Sequence, residues 1–282
     1  MRALFGPAGN SQAFADAGYK GNNQAPEFVS RCGLDAYEYQ CGRGVRVNPD
    51  AASVFAENAK KFGVKISLHT PYYISLSSIE AEKRDKSIQY ILDSANAVTM
   101  LGGDRIVVHS GSCSKISREE ALALATDTLK RAQSTLDENG LSNVRICPET
   151  MGKLNQLGTL EEVLELCSVD ERIIPTIDFG HLNARDHGVL KNASDFELII
   201  DKIADKLGEY RAKHFHSHFS KIEYSSGGEK KHLTFSDSVF GPDFEPLAEV
   251  IYKRSLEPVI ICESDNTMSE DALYMKKYYN SL

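Results

Sequence analysis

The chain has 282 residues, of which 41% are hydrophobic and 26% are charged, a composition typical of a globular protein with a large core. Its formal net charge of −8 argues against a polyanionic partner unless the basic residues gather on one face. The N-terminal sequence MRALFGPAGNS has no apolar segment of signal-peptide length, and no apolar run approaches a membrane span. We therefore expect a cytoplasmic protein with no membrane partner.

Eight short apolar segments, rich in β-branched residues, alternate with segments of helical periodicity. The predicted strands cover residues 2–6, 34–40, 65–69, 105–109, 144–149, 174–178, 212–216 and 258–263. Between them, residues 118–138 carry an apolar stripe typical of a helix that faces a core. Thr159 with Glu162, and Ser194 with Glu197, have the spacing of capping boxes at helix N-termini.

Strict alternation of strands and helices implies a parallel sheet with right-handed crossovers. Eight units of about 35 residues each predict an α/β fold, a single-domain (β/α)8 TIM barrel over residues 1–282. A doubly wound open sheet is the alternative, but the first turn, GPAGNSQ, lacks the glycine pattern GxGxxG. In a barrel, the active site is expected at the C-terminal face of the strands.

A histidine or carboxylate ends each of six consecutive predicted strands, from the third to the eighth. These residues are His69, His109, Glu149, Asp178, His216 and Glu263. We expect them to converge on one mouth, where three crowded carboxylates would repel one another unless cations neutralised them. Imidazole and carboxylate ligands without cysteine suit zinc or manganese, and sites with two or three ions commonly catalyse displacement at phosphorus.

Six segments occur in an order that resembles endonuclease IV, the zinc-dependent apurinic/apyrimidinic endonuclease of base excision repair. They are SLHTPYY, VVHSGS, ICPET, TIDFGH, KHFHSHFSK and IICES, and the resemblance runs over roughly residues 60–270. This family, apurinic/apyrimidinic endonuclease 2, falls among the xylose-isomerase-like TIM barrels. The resemblance implies hydrolysis of the phosphodiester bond 5′ to abasic sites in double-stranded DNA, and we expect a monomer.

The resemblance also implies roles for individual residues. His69, His109 and Glu149 would hold one zinc ion; Glu149, Asp178, His216 and Glu263 would hold a second; His181 and His232 would serve a third. Glu149 and Glu263 are the predicted catalytic residues, because one would bridge two ions and the other would position the attacking hydroxide. Tyr72 matches a residue that enters the DNA at the lesion, although a packed loop aromatic is an equal alternative.

The predicted third zinc site departs from the family pattern. Family members place an Asp-x-His pair before the last strand, whereas this chain has GGEKKH, with Lys230 at the aspartate position. Either Glu229 reaches inward from a shifted backbone, or the third ion is weak or absent. We therefore predict two firm zinc sites and a weaker third one with Glu229 as its carboxylate. Manganese is a possible substitute for zinc.

Several basic residues fall in the predicted loops around the mouth. They are Arg43, Arg46, Lys115, Arg118, Lys153, Arg185, Lys221, Lys230 and Lys231. The acidic excess falls largely on the outer helices, so a basic rim could still bind a phosphate backbone. Arg43 and Lys230 are the predicted DNA contacts among them.

Two other functions remain open from the residues alone. A sugar isomerase or epimerase of the related barrel type would need only the four ligands of the second ion. It would not need His69, His109 and His181, which favour the nuclease, whereas the altered third pair and the net charge of −8 favour the isomerase. A catalytically silent DNA- or metal-binding protein is the third possibility.

Overall fold

The computed structural model describes residues 2–282 as a closed barrel of eight parallel strands with helices around it. The strands are β1 Leu4–Pro7, β2 Ala36–Gln40, β3 Lys65–His69, β4 Arg105–Val108, β5 Arg145–Pro148, β6 Thr176–Asp178, β7 His216–Phe219, β8 Ile222–Ser225, β9 Gly228–His232 and β10 Val259–Cys262; all but β8 and β9 belong to the barrel. Hydrogen bonds connect β2-β3-β4-β5 and β6-β7-β10-β1. Parallel bridges from Ala8 to Glu38 and from Glu149 to Thr176 close both seams, which confirms the predicted barrel.

The helices follow the strands and cover the outside of the barrel. They are α1 Gln12–Asp16, α2 Ala25–Arg31, α3 Pro49–Phe62, α4 Ala81–Met100, α5 Arg118–Glu138, α6 Leu160–Cys167, α7 Phe179–Arg185, α8 Ala193–Leu207, α9 Glu209–Lys213, α10 Glu245–Lys253 and α11 Met268–Ser281. The apolar stripe predicted for residues 118–138 coincides with α5, whose buried residues form that stripe. Among the helices of residues 2–282, none combines the length and the hydropathy that a membrane span requires.

One of the two predicted capping boxes is confirmed. Thr159 Oγ1 accepts the Glu162 N–H at 3.2 Å, and Glu162 Oε2 accepts the Thr159 N–H at 2.9 Å. The second box is displaced: α8 begins at Ala193, and Asp195 rather than Glu197 accepts the backbone N–H of Asn192 at 2.8 Å. The N-cap is therefore two residues earlier than Ser194.

The interior of the barrel changes from apolar to polar along its axis. Towards the strand starts and middles, two small apolar clusters fill it, formed by Ala36, Val259 and Ile261 and by Val107, Cys147 and Ile174. At the C-terminal ends the inward side chains are histidines and carboxylates. Since inward positions recur every second residue, β4, β5 and β10 each place an apolar residue (Val107, Cys147 and Ile261) one inward position below a polar one (His109, Glu149 and Glu263).

The seventh strand is displaced from its predicted position, and a hairpin follows it. Residues 209–213 form α9, so β7 occupies 216–219 rather than the predicted 212–216. The antiparallel pair β8–β9 then extends from the barrel before α10 and was not predicted. Both differences affect the candidate site, because the shift changes which histidine reaches the mouth and the hairpin carries two ligand residues.

Candidate metal centre

The first ligand cluster joins the ends of β3, β4 and β5. His69 Nε2 and His109 Nε2 lie 3.4 and 3.0 Å from the same carboxylate oxygen, Glu149 Oε2. His69 Nδ1 contacts the carbonyl oxygen of Thr70 at 2.9 Å, an arrangement that turns Nε2 towards Glu149. Glu149 is 1% exposed, and its Oε2 has no hydrogen-bond partner within residues 2–282. Two imidazole nitrogens and one carboxylate oxygen thus converge where a cation would satisfy them.

The second cluster shares Glu149 with the first and adds Asp178, His218 and Glu263. His218 Nδ1 lies 2.8 Å from Glu149 Oε1 and 3.5 Å from Glu263 Oε2. Asp178 Oδ1 accepts the His181 N–H at 2.7 Å as the N-cap of α7, while the buried Oδ2 has no hydrogen-bond partner in the described chain. A carboxylate shared between two clusters is the arrangement expected of a bridging ligand.

We expected His216 in this cluster, but the structure does not place it there. His218 takes the position beside Glu149 and Glu263, and His216 lies one inward position deeper in the barrel. The cause is the displacement of β7: the strand ends near His218 rather than at His216, and both residues face inward because they are two apart. In the segment KHFHSHF, the alternating histidines show which residues of the strand face inward. They do not show at which of these histidines the strand ends.

The third cluster is formed by His181, Glu229 and His232. His181 Nε2 lies 3.5 Å from Glu229 Oε2, and the rings of His181 and His232 are 5.5 Å apart in an edge-to-face arrangement. His181 Nδ1 contacts the carbonyl oxygen of Thr150 at 3.0 Å, which leaves Nε2 facing Glu229. The structure therefore brings Glu229, and not Lys230, to the two histidines, as expected from the altered motif.

A β-bulge explains how Glu229 and His232 face the same way although they are three residues apart. In the hairpin, Glu223 pairs with Lys231 but the next residue, Tyr224, pairs with Glu229, so Lys230 is the extra residue of a bulge. In a regular strand, residues three apart point to opposite faces. The bulge removes one residue from the alternation, and Lys230 is left exposed.

Close backbone contact fixes this hairpin against the loop after β5. A Cβ on Gly228 would lie 2.2 Å from the carbonyl oxygen of Gly152, and a Cβ on Gly152 would lie 2.6 Å from the Cβ of Glu229. Gly228 also has a φ of +88°, a backbone angle that residues with a side chain rarely adopt. The two glycines therefore allow the contact that holds Glu229 beside His181.

Electrostatics within the bowl, meaning the three clusters together, raise the pKa of His69, His181 and His218 through the neighbouring carboxylates. Burial lowers the pKa of His181, but Asp178, and then Glu229 and Glu149, outweigh it and raise the pKa to about 9. Burial raises the pKa of Glu149, yet His218 and the other neighbouring histidines hold it well below its usual range. The donor set is therefore strongly attractive to positive charge.

One functional candidate, Glu38, did not emerge from the sequence. This fully buried residue of β2 lies beneath the second cluster and contacts both His216 and His218. The segment LDAYEYQ holds a glutamate at an alternate position of an otherwise apolar strand, and this was the available signal. It carried little weight because the residue does not end its strand.

Tyr72 stands at the edge of the bowl with 60% of its surface exposed. Its ring is 5.8 Å from the ring of His109 with an interplanar angle of 29°, and it is 5.5 Å from the ring of His69. The ring packs on the backbone of Gly42, where a Cβ would approach it to 2.3 Å. Tyr72 is thus an exposed aromatic residue directly over the first cluster.

The basic residues predicted to line the mouth fall into different environments. Arg43 is exposed in the loop after β2, whereas Lys230 forms a short ion pair with Glu223. Arg185 is buried and donates to the carbonyl oxygens of Met151 and Lys153. Part of the predicted basic rim is therefore already paired with the protein.

Arg118 belongs to the paired group as well. Its guanidinium donates to Glu162 Oε1 and Oε2 at 2.7 and 2.6 Å and to the carbonyl oxygens of Leu154 and Gln156. The loop after β5 is thus held by Arg118 and Arg185 from two sides. Both arginines stabilise the loop that contacts the hairpin.

Comparison with protein families assigns the chain to a class. Residues 26–278 match the family described as Xylose isomerase-like TIM barrel, so the protein belongs to this family. The same fold occurs in solved structures of an endonuclease IV and of a sugar epimerase-like protein. The resemblance seen in the sequence is confirmed at this level.

Individual relatives and solved structures include both endonucleases and an epimerase-like protein. An uncharacterized protein of Methanocaldococcus jannaschii is 33% identical over 92% of both chains. A probable endonuclease 4 of Acholeplasma laidlawii is 26% identical over 69% of this chain and 65% of that protein. Among solved structures, a D-tagatose 3-epimerase-like protein has a TM-score of 0.71 at 20% identity, covering 90% of this chain and 91% of that one. Endonuclease IV from Thermus thermophilus has a TM-score of 0.68 at 18% identity, covering 100% of both chains.

Proposed function

We propose that this protein is a metal-dependent endonuclease that hydrolyses the phosphodiester bond 5′ to abasic sites in double-stranded DNA. The observation that carries the proposal is the presence of three ligand clusters in one bowl, with Glu149 common to two of them. A sugar epimerase needs a single ion, for which the second cluster alone would suffice. Two further clusters, built from five additional residues, would have no role in that reaction.

The donor set fits zinc, with manganese as a possible substitute. The ligands are imidazole nitrogens and carboxylate oxygens with no thiolate, and two buried carboxylate oxygens, Glu149 Oε2 and Asp178 Oδ2, have no hydrogen-bond partner within residues 2–282. When bound, such ions supply an activated water and positive charge for the phosphate in the transition state.

The two glutamates of the second cluster differ in their access to substrate. The Glu149 side chain is 1% exposed and lies between two clusters, which suits a bridging ligand. The Glu263 side chain is 16% exposed and lines an open cavity of about 580 Å³ at the mouth. Glu263 therefore orients the attacking water by accepting its hydrogen bond. Glu149 would instead link the first and second clusters as a ligand common to both.

Tyr72 supplies the contact with the lesion. An abasic site leaves a gap in the base stack, and an exposed aromatic ring can fill such a gap by stacking on a neighbouring base. The Tyr72 ring stands over His69 and His109, so a DNA strand that it contacts would have its phosphate beside the bowl.

The direct test is incision of a labelled duplex that contains one abasic site, with the zinc-loaded protein. We expect a single nick 5′ to the lesion that leaves a 3′-hydroxyl, and no nick in the undamaged duplex. Glu263→Gln, which keeps the shape of the side chain, is the matched inactive control. Failure of the metal-loaded wild type to nick the abasic duplex would overturn the proposal.

The second candidate is a metal-dependent epimerase of ketoses. The four residues Glu149, Asp178, His218 and Glu263 form a complete single-ion set, and much of the basic rim is paired internally. Two carboxylates at one ion could exchange a carbon-bound proton of a sugar. Incorporation of solvent deuterium into a ketose, without incision of abasic DNA, would favour this function.

A further inference from the structure

Glu38 lies beneath the bowl and has four polar side chains around its carboxylate. Its Oε2 lies 2.9 Å from His216 Nε2 and accepts the hydroxyl of Ser67 at 2.9 Å. Its Oε1 lies 3.0 Å from His218 Nε2 and accepts the amide of Gln40 at 3.4 Å. All three of Glu38, His216 and His218 are completely buried.

The contacts of His218 define a separate task for each of its ring nitrogens. Nδ1 faces the second cluster, at 2.8 Å from Glu149 Oε1. Nε2 lies 3.0 Å from Glu38 Oε1, but the angle at its N–H is too bent for a regular hydrogen bond. A neutral imidazole has one protonated nitrogen and one lone pair, so the nitrogen that binds a cation must be the unprotonated one. A carboxylate beside the other nitrogen selects that arrangement.

We propose that Glu38 is the positioning residue for the second cluster: it holds the proton of His218 on Nε2 and thereby presents the lone pair of Nδ1 to the ion. The inference rests on the metal-binding part of the proposed function and is independent of the DNA substrate. Glu38 itself does not contact the ion. Its effect is on the orientation and tautomer of His218.

A fourth ion between Glu38, His216 and His218 is the competing interpretation, because their ligand atoms are close enough. Each oxygen of Glu38, however, already faces two donor groups: Ser67 and His216 at Oε2, Gln40 and His218 at Oε1. The carboxylate of Glu38 is therefore occupied by contacts with the protein, which favours a supporting role over that of a ligand.

The test uses cobalt(II) as a spectroscopic probe in place of zinc. Glu38→Gln keeps the shape of the side chain but removes the charge that selects the Nε2–H tautomer. We expect one of the bound cobalt ions to lose affinity about 10- to 100-fold in chelator competition, with the other ions unchanged. Ser67→Ala is the matched control, because it removes a hydrogen bond to Glu38 without touching His218; we expect less than about a threefold change.

The second readout is the tautomer of His218, followed by nitrogen-15 NMR of the zinc-loaded protein. The wild type should carry the proton on Nε2, and Glu38→Gln should show the Nδ1–H form in the fraction of molecules that has lost the second ion. Thermal unfolding of the metal-free variants checks folding, and Glu38→Asp, which retains the charge with a shorter reach, should bind cobalt with intermediate affinity.

Three outcomes separate this inference from the proposed function. Unchanged cobalt affinity and tautomer in Glu38→Gln would overturn the role of Glu38. Loss of a whole ion from Glu38→Gln, with the tautomer of His218 unchanged, would indicate the fourth ion instead. If the wild type binds cobalt but nicks no abasic DNA, while Glu38→Gln weakens one cobalt ion selectively, only the nuclease would be overturned.

Discussion

Apart from His181 on α7, the candidate ligands of the bowl come from two kinds of structure, and these differ in how the fold places them. Five residues, at the ends of β3, β4, β5, β6 and β7, occupy positions that the barrel itself dictates, and Glu263 follows β10 in the same way. Glu229 and His232 instead stand on the β8–β9 hairpin, where a bulge and a contact between two glycines bring them to His181. Strand-end ligands depend on the topology of the barrel, whereas the hairpin ligands depend on one local irregularity.

This contrast leads us to expect a graded response to mutation. The barrel strands are buried and continuously hydrogen-bonded, so their ligands are held rigidly. The hairpin is a two-stranded ribbon outside the barrel sheet, and such ribbons are only marginally stable without additional packing. The third cluster should therefore be the weakest of the three and the most sensitive to changes in the surrounding chain.

The largest effect is expected at the strand-end carboxylates. Glu149→Gln and Glu263→Gln each remove one anionic ligand charge while keeping the side-chain shape. We expect incision of abasic DNA to fall by at least about two orders of magnitude, because several kcal/mol of transition-state stabilisation depend on the ions. Steady-state incision rates with saturating zinc measure the effect, and near-normal turnover of Glu263→Gln would refute its role.

The hairpin carboxylate should have a smaller and more selective effect. Glu229→Ala should release one ion under mild chelation, from three to two, and leave the other two bound. Metal analysis by mass spectrometry measures this, with Glu223→Ala as the control because Glu223 pairs with Lys230 on the outside of the same hairpin. Equal metal content in Glu229→Ala and wild type would show that Glu229 is not a ligand.

The bulge itself can be tested by deleting Lys230. The deletion places Glu229 and His232 two residues apart, so a regular hairpin would still direct both inwards. We expect the third ion to be retained, with an affinity within about threefold of wild type. A loss of the third ion as complete as that in Glu229→Ala would mean that the bulge serves some other purpose.

The smallest effects are expected on the rim. Arg43 is exposed and has no ion-pair partner among residues 2–282, so Arg43→Glu should weaken binding to all duplexes and reduce the salt dependence by about one phosphate contact. Lys230→Glu should change affinity less, because Lys230 is already paired with Glu223. Fluorescence anisotropy over a range of salt concentrations compares the two variants, and an equal loss would contradict the pairing.

The sequence predicted the barrel and most of the side chains that the structure brings together at its mouth, because both follow from periodicity. Alternating apolar segments define the strands, and His69, His109 and Glu149 end three of them. The choice of His216 over His218 failed for a different reason: the two share one face, and only the position of the strand end distinguishes them. That end depends on the preceding α9, whose five residues give no clear periodic signal.

The role of Glu38 and the β8–β9 hairpin could not be predicted from the sequence, because both depend on contacts between distant parts of the chain. Glu38 acts beneath the mouth and contacts His216, which is 178 residues away in the chain, so no local pattern connects them. The bulge at Lys230 follows from how β9 pairs with β8 and rests on Gly152. Glu229 was nonetheless expected as the nearest carboxylate, because Lys230 has no lone pair to offer a cation.

The most direct test of the central claim is anomalous X-ray scattering at the zinc edge from crystals of the zinc-loaded protein. The account predicts three peaks: one at His69, His109 and Glu149, one at the second cluster, and a weaker one at His181, Glu229 and His232. A single peak beside His218, with the other two clusters empty at saturating zinc, would contradict the multi-ion centre and would favour the epimerase.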